Sequence, residues 1–378
     1  MKRINKEYLY LFFSFLTTLF INWGKKGIKN SHFDKILVVK LDHIGDVVTA
    51  TPVFEALKNR YPEAHVSLLL GSWSKDVVKN NPNIDELILY DSSSFMRNKQ
   101  RKHSLTYYFN VLRTIRLSEF KLIIDLRGDW FTLILAVLSK CTFRLDRGTV
   151  RFKKKISKLF NRFSENTTHE VICNLEIVQP LGIKLHQVKT KIYLTNEEMD
   201  EANTILKHYG ISENDTLIVI HPGAPWKPRR WSVRKFVNIA NWCVSKKNAK
   251  VVLIGGHDEI MLKDHLTQFI DKRVIVLIGQ TNLRQTMSII NRATMLVCND
   301  SGPMHLASAL GTPVVALFGP ENPNKFGPWG SNNIVLHKKV DCFPCKQKTC
   351  TKADNTCVNL ITESEVKKAI ESILGETI

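Results

Sequence analysis

Short runs of apolar, largely β-branched residues alternate with longer amphipathic stretches along most of the chain. After the polar break Asn30-Ser31-His32, residues 35–40 predict a strand ending at Leu41-Asp42-His43-Ile44-Gly45-Asp46. A helical pattern over residues 47–60 follows and is closed by Pro62. Residues 66–70, 86–90 and 121–126 repeat the strand pattern, with helices expected near 74–80 and over 97–116. The same grammar restarts near residue 215. Strands are predicted at 217–221, 250–254, 274–277, 295–298 and 314–318, and helices at 232–248, 259–270, 283–291 and 304–310. Strands alternating with helices predict α/β architecture, with mostly parallel sheets covered on both faces. The expected picture is two doubly wound domains facing a central cleft, joined by the polar segment 180–215. Ligands in such sheets sit at the carboxyl ends of strands, which directs attention to the residues just after each strand.

One run does not fit this grammar. Residues 8–21 (YLYLFFSFLTTLFI) are apolar and are flanked by Lys2, Arg3 and Lys6 on one side and Lys25, Lys26 and Lys29 on the other. A spanning helix needs ~20 apolar residues. A signal peptide needs a small-residue cleavage site, and Asn22-Trp23-Gly24 is a poor one. The favoured reading is a helix lying on a membrane, its aromatic residues at the interface and its lysines on anionic headgroups. A signal peptide, a true span and a plain packing helix are the alternatives. The domains expected are therefore 1–30, membrane-associating; 31–190, the first α/β domain; and 191–378, the second.

Composition narrows the class. With 44% hydrophobic and 24% charged residues in 378, a mainly disordered chain is excluded, and eight cysteines are too few for a disulfide-stapled scaffold. The formal net charge is +19, and residues 1–190 hold +14 of it. Residues 144–162 carry eight cations against one acid, and 97–103 carry four more cations. Such a balance implies an anionic partner but does not choose between nucleic acid, a membrane surface and an acidic substrate.

Four clusters at strand ends carry candidate chemistry. In Ile44-Gly45-Asp46 the carboxylate stands at the head of a helix, where it acts either as a helix cap or as a general base. In His221-Pro222-Gly223-Ala224-Pro225-Trp226-Lys227-Pro228-Arg229-Arg230-Trp231, three cations in a stiff loop before a helix suit phosphate oxygens. Gly255-Gly256-His257-Asp258-Glu259 allows close backbone approach of a ligand, with Glu259 a candidate ribose contact or a helix cap. In Asn299-Asp300-Ser301-Gly302-Pro303-Met304-His305, the N–H groups of Ser301 and Gly302 at a helix start would cradle a diphosphate, with His305 one turn further in.

Together these clusters resemble glycosyltransferase family 9, the heptosyltransferases of lipopolysaccharide core synthesis. The matching parts are KLDHIGD with TPVFEALKNRYP, HPGAPWKPRRW, GGHDE and NDSGPMHLASALGTPVVALFGP, in order over residues 35–330. The resemblance implies the GT-B fold, with an acceptor domain followed by a nucleotide-sugar domain, and an inverting reaction that requires no metal or other cofactor. Asp46 is then the base. Lys227, Arg229, Arg230, Gly223, Glu259, Asp300, Ser301, Gly302 and His305 bind the donor, an ADP-sugar such as ADP-heptose. Arg229 stands where the family usually has a lysine, which exchanges a point charge for a planar fork. Gly45, Arg144, Arg147, Arg151, Lys153 and Lys154 fall in the half expected to meet an acidic glycolipid acceptor. The implied location is cytoplasmic, peripheral on the inner face of the cytoplasmic membrane, with no nucleic-acid partner. A sugar-nucleotide epimerase of the same architecture and a non-catalytic polyanion-binding protein are the competing readings.

Near the C-terminus, Cys342, Cys345, Cys350 and Cys357 are spaced C-x2-C-x4-C-x6-C, close to a four-thiolate zinc cluster. A structural zinc, packed thiols and disulfides are the readings left open there. A last helix over 362–374 is expected to pack back across the domains, as in GT-B proteins.

Overall fold

The computed structural model describes residues 6–22, 27–91, 105–160, 168–184, 188–343, 345, 350 and 357–375. The chain divides into two compact units, Met1–Val188 and Lys189–Ile378.

The first unit runs α1 (Lys6–Asn22), β1 (Lys35–Val39), α2 (Ile44–Val48), α3 (Thr51–Arg60), β2 (His65–Leu70), α4 (Lys75–Val78), β3 (Glu86–Leu89), α5 (Leu105–Leu117), β4 (Leu122–Asp125), α6 (Trp130–Leu138), β5 (Phe143–Asp146), α7 (Arg147–Phe160) and α8 (Glu170–Val178). The strands form one parallel sheet in the order β3-β2-β1-β4-β5. Central β1 is buried along Ile36–Val39, the continuous apolar run that a sheet covered on both faces requires.

Two features differ from the sequence reading, and a third lies outside what the structure describes. The helix expected over 47–60 breaks in two, because Pro52 lacks the N–H that a helix interior needs and so sits in the first turn of α3. The basic stretch from 144 onward begins inside the sheet as β5 before continuing as α7. The cations of 97–103 lie outside the described residues.

Helix α1 is joined to this sheet through polar groups. Ser14 and Thr18, one turn apart, donate to the two carboxylate oxygens of Asp146 at 2.5 and 2.6 Å. The Asn22 side chain accepts from the Arg144 backbone N–H and donates to its carbonyl, both at 3.0 Å, and so continues the ladder beyond edge strand β5. Arg144 is fully buried, its guanidinium donating to the Ser14 carbonyl and the Thr18 hydroxyl, 3.6 Å from Asp146 and 3.9 Å from Asp125. Gly148 permits the close approach of α7, since a Cβ there would lie 2.4 Å from the Ser14 hydroxyl.

The second unit runs α9 (Asn196–His208), β6 (Leu217–His221), α10 (Val233–Lys247), β7 (Lys250–Leu253), α11 (Ile260–Thr267), β8 (Ile275–Val276), α12 (Leu283–Arg292), β9 (Met295–Asn299), α13 (Gly302–Leu310), β10 (Val314–Phe318), α14 (Pro323–Phe326), β11 (Asn333–His337) and α15 (Glu363–Leu374). Its parallel sheet has the order β11-β10-β9-β6-β7-β8. The segment expected as a linker contains α9, started by a capping box between Thr195 and Glu198, and the same Glu198 pairs with Arg284 of α12. Helix α15 packs on α10, β10 and β11.

Burial raises the Asp125 carboxyl to about 6 despite the opposing charge of Arg144. An acid raised in this way favours the folded state fully below its unfolded pKa of ~3.9, and that contribution is lost as pH rises through about 6. Asp125→Asn should therefore gain stability relative to the wild type between pH 5 and pH 8, read from urea midpoints. An unchanged difference across that range would contradict the assignment.

Candidate functional site

In the first unit the chemistry collects at the carboxyl end of β1. Lys40, just past the strand, is buried and pairs with Asp42 at 3.0 Å. Arg127, just after β4, reaches the other Asp42 oxygen at 2.6 Å and the Leu41 carbonyl at 2.6 Å. Burial works against the Asp42 charge, but Lys40 and Arg127 prevail and hold its pKa below the ordinary carboxylate range. Asp46 lies in the first turn of α2, half-buried. Burial pushes its pKa up, with Asp42 and Glu170 adding to the shift against the pull of Lys40. Two carboxylates four residues apart are thus driven in opposite directions, the pattern by which a site separates a permanent charge from a proton acceptor. Gly45 lies within α2, one residue after its start, and His43 leaves the strand in extended conformation as the residue that precedes the helix.

The basic residues of this unit separate into two groups. Arg147 is buried and ion-paired with Glu170, and also bonds Asn174. With Arg144 locked between β5 and α1, neither guanidinium reaches solvent, because a buried cation must be matched where it lies. Arg151, Lys153 and Lys154 are exposed on α7, with Lys154 meeting Glu176.

In the second unit three strand ends are tied together. His221, the last residue of β6, is buried, with Nε2 3.0 Å from Glu259 and Nδ1 3.1 Å from the Ser301 hydroxyl. Burial opposes the Glu259 charge, but His221, the Gly256 N–H at 3.0 Å and Arg230 hold its pKa below the usual range. An ionised Glu259 accepts from Nε2, and the Ser301 hydroxyl beside Nδ1 donates to the Asn299 carbonyl at 3.1 Å. Gly223 leaves the space that Glu259 occupies, since a Cβ there would fall 1.6 Å from Oε1. Asn299, the last residue of β9, accepts from Trp231 N–H at 3.0 Å and donates to the Pro222 carbonyl at 2.8 Å, pinning both ends of the cationic loop.

The three loop cations behave differently. Arg229 lies between two carboxylates, 3.1 Å from Asp300 and 2.7 Å from Glu321, over the Trp226 ring at 4.6 Å. Arg230 bonds the Ala224 carbonyl at 2.7 Å, and Lys227 is exposed. Helix α13 begins at Gly302 with Ser301 as its cap, and His305 is half-buried one turn in. The sequence reading did not single out Asp42, Arg127, His221, Asn299 or Glu321 as site residues. The available signal was their position at or just after strand ends.

The four tail cysteines are free thiols, with Cys342 exposed and the others half-buried. Among the described residues no group of three or more His, Cys, Asp or Glu side chains is placed to hold a metal ion. Burial raises the Cys357 pKa, and nearby Cys342 and Cys350 add to the shift.

A family model described as glycosyltransferase family 9 (heptosyltransferase) matches residues 108–355. The chain is 24% identical over 340 residues to lipopolysaccharide heptosyltransferase 3 of Escherichia coli, covering 87% of this chain and 96% of that one. Among solved structures it resembles the family 9 glycosyl transferase of Veillonella parvula, with TM-score 0.79 and 27% identity over 92% of this chain and 99% of that one. It also resembles the E. coli ADP-heptose lipopolysaccharide heptosyltransferase II, with TM-score 0.71 and 18% identity over 90% and 99%. The fold of the two units is thereby GT-B.

Gly223→Ala should displace Glu259 and destabilise the protein by ~1–3 kcal/mol. Placing Gly223→Ala in a Glu259→Ala background should remove most of that loss, because the clash is with this one carboxylate. Additive losses in denaturant titrations would show that the glycine serves something else.

Proposed function

The chain belongs to glycosyltransferase family 9, and on that premise we propose that it moves heptose from ADP-heptose onto a lipopolysaccharide-core or related glycolipid acceptor at the inner face of the cytoplasmic membrane, with inversion and with Asp46 as general base. The epimerase and polyanion-binding alternatives give way to the family assignment. The observation that carries the reading is Asp46, a half-buried carboxylate whose proton affinity is raised by burial and by its acidic neighbours.

In the reaction, the acceptor hydroxyl oxygen forms a bond to the anomeric carbon while the bond from that carbon to the donor phosphate breaks. The hydroxyl proton passes to Asp46, and ADP leaves with the electron pair. A raised pKa improves Asp46 as a proton acceptor, while Asp42, held ionised by Lys40 and Arg127, fixes the local charge. On the donor side, Lys227, Arg230 and the start of α13 at Ser301–Gly302 face the diphosphate, with His305 beside them. Glu259, held through one oxygen by His221 and Gly256, offers the other to a ribose hydroxyl. Arg229 holds Asp300 and Glu321 to the loop and so acts by fixing its shape. For the acceptor, exposed Arg151, Lys153 and Lys154 take the role first assigned to the whole basic stretch, and Arg144 and Arg147 serve the interior.

Asp46→Asn should reduce transfer by ~10²–10⁴-fold while ADP-heptose binding stays within a few fold. The wild-type kcat should fall toward low pH with an acid limb above the ~3.9 of a free aspartate. The same variant should be more stable than the wild type at pH 8, because a raised acid contributes stability only below its folded pKa and loses it as pH rises through that value. Activity retained in Asp46→Asn would remove the base assignment. A binding and hydrolysis screen across ADP-, GDP- and UDP-sugars tests the donor, and transfer measured in EDTA tests the expectation that no metal is required.

A further inference from the structure

Helix α1 is amphipathic with its polar side inward. The face turned to the sheet presents Ser14, Thr18 and Asn22 to Asp146 and Arg144. The outer face presents Leu9, Phe12, Phe13, Leu16, Leu19 and Phe20, each more than 40% exposed and Phe20 85% exposed. Helix α6 lies beside it, joined by Trp130, whose ring is 5.4 Å from Tyr10 and 6.0 Å from Phe13. It adds a second apolar row of Trp130, Ile134, Val137 and Leu138, each 43–55% exposed. A helix facing water shows the opposite arrangement, and a continuous apolar face of this extent marks an interaction surface.

We propose that α1 and α6 together form a docking face for an anionic lipid bilayer, which α1 enters in the plane of the interface. The charge beside the face selects the occupant. Helix α7 packs along α1 through Phe152, 5.0 Å from Phe15 and 6.2 Å from Phe12, and carries exposed Arg151, Lys153 and Lys154. Lys140, just past α6, is exposed as well. Apolar rings bordered by cations match an anionic bilayer surface. A second copy of the chain would set the same cations against each other. Among the described residues no helix is long and apolar enough to cross a membrane, and the bonds of α1 to Asp146 hold it flat against its own unit. The face reaches the carboxyl edge of the sheet, where Tyr10 lies close to Gly128 and Arg127 grips Asp42. It deepens the proposed function in that a bilayer seated here brings a lipid-borne acceptor to the edge that carries Asp46.

Vesicle flotation of the full chain, without nucleotide sugar or acceptor, tests the face separately from the reaction. The wild type should float with vesicles containing phosphatidylglycerol and far less with phosphatidylcholine alone. Ile134→Glu/Val137→Glu should lower partition by about tenfold or more with an unchanged unfolding midpoint, since both side chains are exposed. Ile134→Ser/Val137→Ser serves if the first variant misfolds. Brominated lipid should quench a fraction of tryptophan emission that Trp130→Phe removes. Wild-type chain that stays with neither vesicle overturns the proposal. So does an α6 variant that floats like the wild type, or a dimer abolished by the same substitutions. Vesicle binding without sugar transfer would overturn the proposed function and leave this face standing.

Discussion

A polar or charged group carried into the interior at the end of a strand must find its partner there, since leaving it alone costs several kcal/mol. That constraint organises both units. In the first, Lys40 and Arg127 answer Asp42, and Arg144 lies between Asp125 and Asp146. In the second, His221 is answered by Glu259 and Ser301, and Asn299 by both ends of the cationic loop. Each answer recruits a loop or helix that the apolar core alone would leave unplaced. The strand ends therefore fix the site and the surface elements together.

The same rule separates cations that hold structure from cations that remain available. Arg229 has a carboxylate on each side and an aromatic ring beneath, so its charge is already matched within the loop. Arg144 and Arg147 are matched in the same way inside the first unit. Lys227, Arg151 and Lys153 are among the exposed cations. Of the +19 net charge, a share is structural, and counting basic residues along a segment overstates what a ligand can meet.

Much of the fold was legible because buried parallel strands leave continuous apolar runs, and β1, β2, β4, β6 and β9 were visible for that reason. Strand β5 was not, because Arg144 and Asp146 break its apolar pattern and their mutual pairing is a tertiary fact. Strand β11 is half-buried along its length and lacks the dense apolar run of the interior strands. Asp46, Glu259 and Ser301 were legible from their places after strands. The coupling through His221 was not, since no spacing in the chain indicates that positions 221, 259 and 301 meet. The inverted polarity of α1 was hidden too: a 14-residue apolar run holding one serine and two threonines reads as uniformly apolar until the partners of Ser14 and Thr18 are known.

The amide of Asn22, bonded to both backbone groups of Arg144, makes α1 the cover of an otherwise open sheet edge. Removing the apolar N-terminal segment is the obvious way to obtain a better-behaved protein from this sequence. Here it would uncover β5 for pairing with other chains, deprive Arg144 of Ser14 and Thr18, and leave Asp146 with Thr149 as its hydroxyl partner. A truncated chain starting near residue 31 would thus exchange a greasy helix for a sticky strand, and the shortened protein would be the more prone to aggregate.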